Sequence, residues 1–318
     1  MLKKPLFIIL TLLSALAVLV SCSNSVDDVF DNQPETIPLT LEFIEDGKFS
    51  VYYESYGDVD YDVYYSLNGG KKTLAEDDKE YAVSKGDKVS FYRTFDSSLP
   101  GNARITINCT KDCYVYGNAM SLVDSTNYAT TTEVPAHALQ YLFLSNEYIK
   151  NHDTLDLVLP ATTLADQCYD SMFQGCTQLT KAPELPAIKM AAACYANMFE
   201  NCTSLAKAPE LPAKELDSNC YSGMFSGCTA LTESPVLPAE TLDKLYCYYS
   251  MFYGCTNLKS VTCLATSIEY SHNVEHWLEN AGSAVTGTKE FHCKTDSTIW
   301  TQGPSGNVPD DWTIVADK

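Results

Sequence analysis

The chain is poor in positive charge, has no zinc-type cysteine pairs, and lacks the short strings that mark nucleotide or hydrolytic chemistry. Its 318 residues hold 21 Lys and Arg against 41 Asp and Glu, for a formal net charge of −20. Residues 23–158 carry 23 acidic and 10 basic side chains, residues 159–263 carry 10 and 6, and residues 264–318 carry 8 and 3. So acidic a surface repels a phosphate backbone, and no basic patch interrupts it, so nucleic acid is excluded as a partner. None of the 13 cysteines stands in a C-x2-C pair, the spacing from which many zinc sites are built. There is no Gly-rich phosphate loop and no G-x-S-x-G string. Beyond residue 22 no apolar run is long enough to cross a bilayer. No cofactor is expected, and the chain does not read as an enzyme.

What the chain does have is a repeat. Four units start at Leu159, Leu185, Leu211 and Leu237, and the first reads LPATTLADQCYDSMFQGCTQLTKAPE, a period of 26 residues. The fourth carries one extra residue before Cys247 and regains register at Met251 and Phe252. A unit of this size cannot bury its own apolar face, so it must stack on copies of itself as a solenoid. The recurring apolar positions are Cys168, Met172, Phe173, Cys176 and Leu179, then Cys194, Met198, Phe199, Cys202 and Leu205. The third unit repeats them at Cys220, Met224, Phe225, Cys228 and Leu231, and the fourth at Cys247, Met251, Phe252, Cys255 and Leu258. Within the first unit Tyr169, Met172, Phe173 and Cys176 fall at i, i+3, i+4 and i+7, which predicts a helix of about two turns. Gly175, Asn201, Gly227 and Gly254 follow, as residues that end a helix in the left-handed conformation. Pro183, Pro209 and Pro235 then stop any helix, and an extended segment opens at the LPA of the next unit. Each coil is thus expected to be one short strand and one short helix, with strands stacked about 4.8 Å apart in a parallel ladder.

The core C-Y-x-x-M-F-x-G-C-T-x-L, with LPA opening each unit, resembles the BspA-type leucine-rich repeat of bacterial surface proteins. The resemblance is strong across residues 138–281 and implies a curved leucine-rich-repeat solenoid, a cell-surface location and adhesion or host contact. The fold class expected is therefore α+β. Degenerate units flank the four copies, Leu142 to Ile149 upstream and Leu264 to Ala281 downstream, and read as caps.

The chain divides into a leader at 1–22, a polar tether at 23–38, a β-sandwich-like domain at 39–128, the solenoid at 129–281 and a C-terminal cap at 282–318. In the leader, Lys3 and Lys4 precede an apolar run from Leu6 to Val20, which is shorter than a spanning helix needs. Leu19-Val20-Ser21-Cys22 resembles a bacterial lipobox, which implies acylation of Cys22, with palmitate among the chains, and lipid anchoring. Asp27 and Asp28 resemble the acidic export tags of surface lipoproteins, placing the protein on the outer membrane at the cell surface. In the sandwich-like domain, segments such as Phe49–Tyr53 and Lys88–Tyr92 are rich in β-branched and aromatic residues, and Asn68-Gly69 marks a hairpin.

Three further features bear on function. Asp58, Asp60 and Asp62 alternate like a calcium loop, but Val63 and Gly69 stand where the pattern needs Gly and Glu. His272, Glu275 and His276 match H-x-x-E-H, which on a helix would set two imidazoles one turn apart around a general base, the basis of a remote zinc-hydrolase reading. Tyr52, Tyr56 and Tyr64 belong to a tyrosine cluster that could contact glycans, against the simpler role of packing a tyrosine-rich sandwich. The eight repeat-phased cysteines read as buried free thiols, with Cys109/Cys113 and Cys263/Cys293 the better-placed pairs for any bridge. The function expected is a lipid-anchored surface recognition or adhesion protein that binds a protein partner through its repeat face. The alternative is a glycan-binding lipoprotein using the tyrosine-rich domain.

Overall fold

A computed structural model describes residues 36–54, 62–93, 104–295, 297–303 and 307–317. The leader with Cys22, most of the tether, Tyr56, Asp58 and Asp60 lie outside the described residues. Among those described, no helix is long and apolar enough to cross a membrane.

Eight strands build the N-terminal unit: β1 Thr40–Phe43, β2 Gly47–Glu54, β3 Tyr64–Leu67, β4 Thr73–Leu74, β5 Tyr81–Val83, β6 Lys88–Tyr92, β7 Arg104–Cys109 and β8 Cys113–Asn118. β5, β2 and β7 form one antiparallel sheet, and β8, β1, β6, β3 and β4 form the antiparallel part of the second. Strand alternation decides what lies between them. Val89 and Phe91 of β6, and Ile105 and Ile107 of β7, point inward and are buried. Phe49 stacks on Tyr81 at 5.1 Å and meets Tyr65 and Phe91 edge-on, so the half-buried Tyr65 and Tyr81 pack against the core. Asn68 and Gly69, both at positive φ, turn β3 into β4.

β8 joins this unit to the repeats. It pairs antiparallel with β1 on one side, while on the other it accepts Ile149–Asn151 and Leu157–Val158 in parallel register. The sheet of the first unit therefore continues into the solenoid. Ile107 of β7 also donates its amide to Leu142 O at 2.8 Å. The buried guanidinium of Arg93 ties the two parts, donating to Leu122 O at 2.9 Å and Ala138 O at 2.6 Å. One hydrophobic core runs from Leu39 to Trp312.

The α+β expectation is wrong, because the described chain is almost entirely β, with no helix of seven or more residues. The segments expected to be helical form a ribbon of overlapping four-residue turns. In the first complete coil Cys168, Asp170, Met172, Gln174 and Cys176 each donate their amide to the carbonyl three residues back. The alternate amides of Tyr169, Ser171, Phe173 and Gly175 donate instead to Cys194, Ala196, Met198 and Glu200 of the next coil, at 2.7–3.0 Å. A two-turn α-helix would free only the amides of its first turn and bond the later ones to carbonyls four residues back, so it could not bond the neighbouring coil at alternate residues along its whole length. Every fourth ribbon residue is left-handed: Gln167, Ser171 and Gly175, then Ala193, Asn197 and Asn201, then Asn219, Gly223 and Gly227. Gly175 and its counterparts thus do not end a helix. They are one member of this four-residue series.

Parallel pairing holds the remaining sides toward the two ends of the stack, with single parallel bridges at Lys181–Lys207 and Lys189–Glu215 between. Glu233–Leu237, Ser260–Cys263, Glu290–Cys293 and Thr313–Ala316 form one four-stranded parallel ladder, so the C-terminal segment supplies two further rungs. A second, narrower series pairs Thr163–Leu164 with Glu133–Val134 and Thr241–Leu242 with Ser267–Ile268.

Inside, stacking in register places like on like. Phe143, Phe173, Phe199, Phe225 and Phe252 form one stack at 5.5–5.8 Å between centroids. Tyr169, Tyr195, Tyr221 and Tyr248 form a second at 5.7–6.0 Å, closed by Trp277 at 6.4 Å and then Trp300. The hydroxyls of Tyr169, Tyr195 and Tyr248 are buried without a hydrogen-bond partner among the described residues. Leaving such a group unpaired costs about 1–3 kcal/mol. Phe199→Ala is therefore expected to destabilise by about 3–5 kcal/mol through the cavity it leaves. Tyr195→Phe, which removes only an unpaired hydroxyl, should leave stability unchanged or raise it. Chemical denaturation of the two variants checks both, and the opposite order would contradict the buried aromatic columns.

Candidate functional site

The ribbon has an inward and an outward side. All twenty repeat-core residues, from Cys168 to Leu258, face inward and are buried. Outward positions differ from coil to coil. One column reads Asp170, Ala196, Ser222, Tyr249 and Glu275, and the next reads Gln174, Glu200, Ser226, Tyr253 and Glu279.

Charge is segregated around the coil. The six lysines of residues 159–263 are Lys181, Lys189, Lys207, Lys214, Lys244 and Lys259, and none falls in 165–176, 191–202, 217–228 or 245–255, the ribbon segments. Those segments carry Asp166, Asp170, Glu200 and Asp217 instead. Burial raises the pKa of Asp170, opposed by hydrogen bonds from Ser171, Gln140 and Asn197. Burial likewise raises that of Glu200, opposed by Gln174.

A groove of about 520 Å³ crosses the outward side. Coil three supplies its floor with Ser222, Gly223 and Ser226, the smallest set in those columns. Coil four supplies the wall with Tyr249 and Tyr253, and Tyr253 is 40% exposed. Gly223 is left-handed, and a Cβ there would fall 2.2 Å from Asn197 Oδ1, so neither conformation nor space admits a larger residue without movement. Tyr249 is braced edge-on by Tyr246 at 5.6 Å and by His276 at 5.9 Å. His276 Nδ1 lies 2.6 Å from Glu279.

The metal reading of His272, Glu275 and His276 rested on a helix, and that premise fails. Ser271–Val274 is a single 3-10 turn, Glu275 is extended and His276 is left-handed. Glu275 lies between the two imidazoles, 3.9 Å from His272 Nε2 and 3.6 Å from His276 Nε2, and all three side chains are exposed. Among the described residues no group of three His, Cys, Asp or Glu side chains is placed to hold a metal ion. Of the tyrosines expected to meet glycans, Tyr52 is exposed on β2, Tyr64 is half-buried on β3 of the other sheet, and Tyr56 lies outside the described residues. Tyr249 and Tyr253 were not singled out from the sequence. As members of a helix they carried no signal, whereas their columns make them the largest side chains beside the smallest.

The twelve described cysteines are buried and unbridged. The second column has a bonding role: Cys176, Cys202, Cys228 and Cys255 donate to the carbonyls of Phe143, Phe173, Phe199 and Phe225 at 3.0–3.1 Å. Asn146 takes the place one coil earlier and donates to Ile107 O at 3.1 Å. In-register coils about 4.8 Å apart hold paired Cβ atoms beyond the roughly 3.8 Å that a bridge favours. Cys109 and Cys113, at the ends of the β7–β8 turn, have their sulfurs 3.3 Å apart.

No protein-family model, curated protein or solved structure matches the chain.

Burial pushes the thiols of Cys194, Cys202, Cys247 and Cys255 up to about 12, from 9.0. A raised folded pKa stabilises below the unfolded value and loses that contribution as pH rises through the folded one. Stability should thus hold below about pH 9 and fall as pH approaches about 12. Thiol reagents should label these sites only on unfolding. Mass spectrometry after timed labelling at neutral pH checks this, and rapid modification of Cys202 in the folded chain would contradict it.

Proposed function

We propose that this is a lipid-anchored recognition protein of the bacterial cell surface, similar to BspA-type surface proteins, whose turn-ribbon face engages a macromolecular partner. One observation carries the reading. The repeat holds its buried columns nearly fixed while the other two ribbon columns change from coil to coil, from buried Asp170 and Ala196 to half-buried Ser222 and Tyr249 in one, and from half-buried Gln174 and Glu200 to exposed Tyr253 in the other. A regular stack whose outer columns can vary without disturbing the buried ones is a scaffold for recognition by area and shape. The lipobox-like Leu19–Cys22 and the acidic residues after it support the membrane location. The tyrosine-rich N-terminal unit has a different task in this reading, as the cap from which the solenoid grows. Phe49 belongs to its core, and the half-buried Tyr65 and Tyr81 pack against it.

Two measurements test the proposal together. Cys22→Ala should move the protein from the membrane fraction to the soluble fraction, and persistence in the membrane with no acyl label would contradict the anchor. The chain 23–318 carrying Glu200→Arg and Glu279→Arg should lose retention on an array of cell-surface and matrix proteins and glycans, while Tyr52→Ala should keep it. The reverse pattern would place recognition on the N-terminal unit.

A further inference from the structure

The groove on the ribbon face has a composition that narrows its ligand. Its wall is aromatic, its floor is small and hydroxylated, and its ends are acidic. Tyr253 presents an exposed ring with no aromatic partner among the described residues, while Tyr249 beside it is fixed by Tyr246 and His276. A braced tyrosine offers a flat apolar surface with a polar tip and loses little rotamer freedom on binding. The hydroxyls of Ser222, Ser226, Tyr249 and Tyr253 make no hydrogen bond among the described residues. Each is both donor and acceptor, which is the complement of another hydroxyl. The volume of about 520 Å³ lies within the range of small-ligand sites.

We propose that this groove, walled by Tyr249 and Tyr253 and floored by Ser222 and Ser226, binds a neutral oligosaccharide. A sugar ring lays its apolar C–H face on Tyr253, and its hydroxyls meet the serine floor. Glu200 and Glu279 accept from hydroxyls at the two ends. The same carboxylates, with Glu275 nearby and a chain charge of −20, disfavour sialylated, uronate-bearing or sulfated glycans. A lysine- or arginine-bearing peptide is the competing occupant of an acidic aromatic groove. The groove favours it less, because the groups that line it without a hydrogen-bond partner among the described residues are the hydroxyls of Ser222, Ser226, Tyr249 and Tyr253, which complement other hydroxyls.

This inference rests on the ribbon being the recognition face, and the experiment separates the two. The chain 23–318 is applied to one array carrying neutral, sialylated and sulfated oligosaccharides together with lysine- and arginine-rich peptides. Retention on neutral oligosaccharides is expected, with little on their anionic counterparts. Tyr253→Ala should weaken it at least tenfold and Ser226→Tyr, which fills the floor, should abolish it. Tyr253 is exposed, so an unchanged melting midpoint confirms that its variant is folded. Retention of basic peptides alone, lost in Tyr253→Ala, overturns the saccharide assignment and leaves the ribbon as the recognition face. Retention of any ligand insensitive to Tyr253→Ala and Ser226→Tyr overturns the groove. If Glu200→Arg with Glu279→Arg is also without effect, the ribbon reading falls with it. Absence of retention on every oligosaccharide overturns the inference as well.

Discussion

The structure depends on how the ribbon divides its backbone amides. Half close turns within a coil and half bond to the next coil, so neither set is complete unless coils stack. A single coil would leave Tyr169, Ser171, Phe173 and Gly175 without acceptors, and an unpaired buried amide costs as much as a lost hydrogen bond. The left-handed residue at every fourth position keeps the chain in this alternation. Glycine and asparagine adopt that conformation readily, while Ser171, Ala193 and Tyr246 do so at a cost of about 1–2 kcal/mol each. Inter-coil bonds and the buried columns offset that cost.

Stacking in register then dictates the interior. Because each coil repeats the last, every inward position becomes a column, and the side chains must tolerate copies of themselves. Flat rings do so by parallel stacking, which explains the two aromatic columns. Cysteine does so by donating its thiol sideways to a phenylalanine carbonyl of the preceding coil. The same rule requires different ends. At the start, Asn146 replaces the cysteine and reaches Ile107 of β7, where no earlier coil exists. At the other end Trp277 covers the last tyrosine, and its indole donates to Asn307 O at 2.7 Å. With the inside fixed in this way, variation is confined to the outward columns, where the groove lies.

Much of this was legible in the sequence. The period set the solenoid, the alternating Phe49–Tyr53 type segments set the antiparallel unit, and the burial of Met198, Phe199 and Cys202 followed from their phase. The helix was misread because doublets at Cys168-Tyr169, Met172-Phe173 and then Cys176 have a spacing of four, close to the helical 3.6 over so short a span. The signal that separates the two was present: Asn197, Asn201, Asn219, Gly223 and Gly227 also recur at four, and asparagine and glycine are poor choices for the middle of a helix. The groove was not legible, because it depends on which coils lie side by side on the outward face. Nor was the role of β8, since a strand's partner on each edge is a tertiary matter.

Nuclear magnetic resonance of the segment Cys194 to Cys202 tests the central claim most directly. Backbone couplings and carbon shifts should show Asn197 and Asn201 left-handed, and amide exchange should be slow for Tyr195, Asn197 and Phe199, whose bonds cross to the next coil. A continuous run of right-handed helical values from Cys194 to Cys202 would contradict the turn ribbon, and with it the stacking on which the columns, the thiols and the groove all depend.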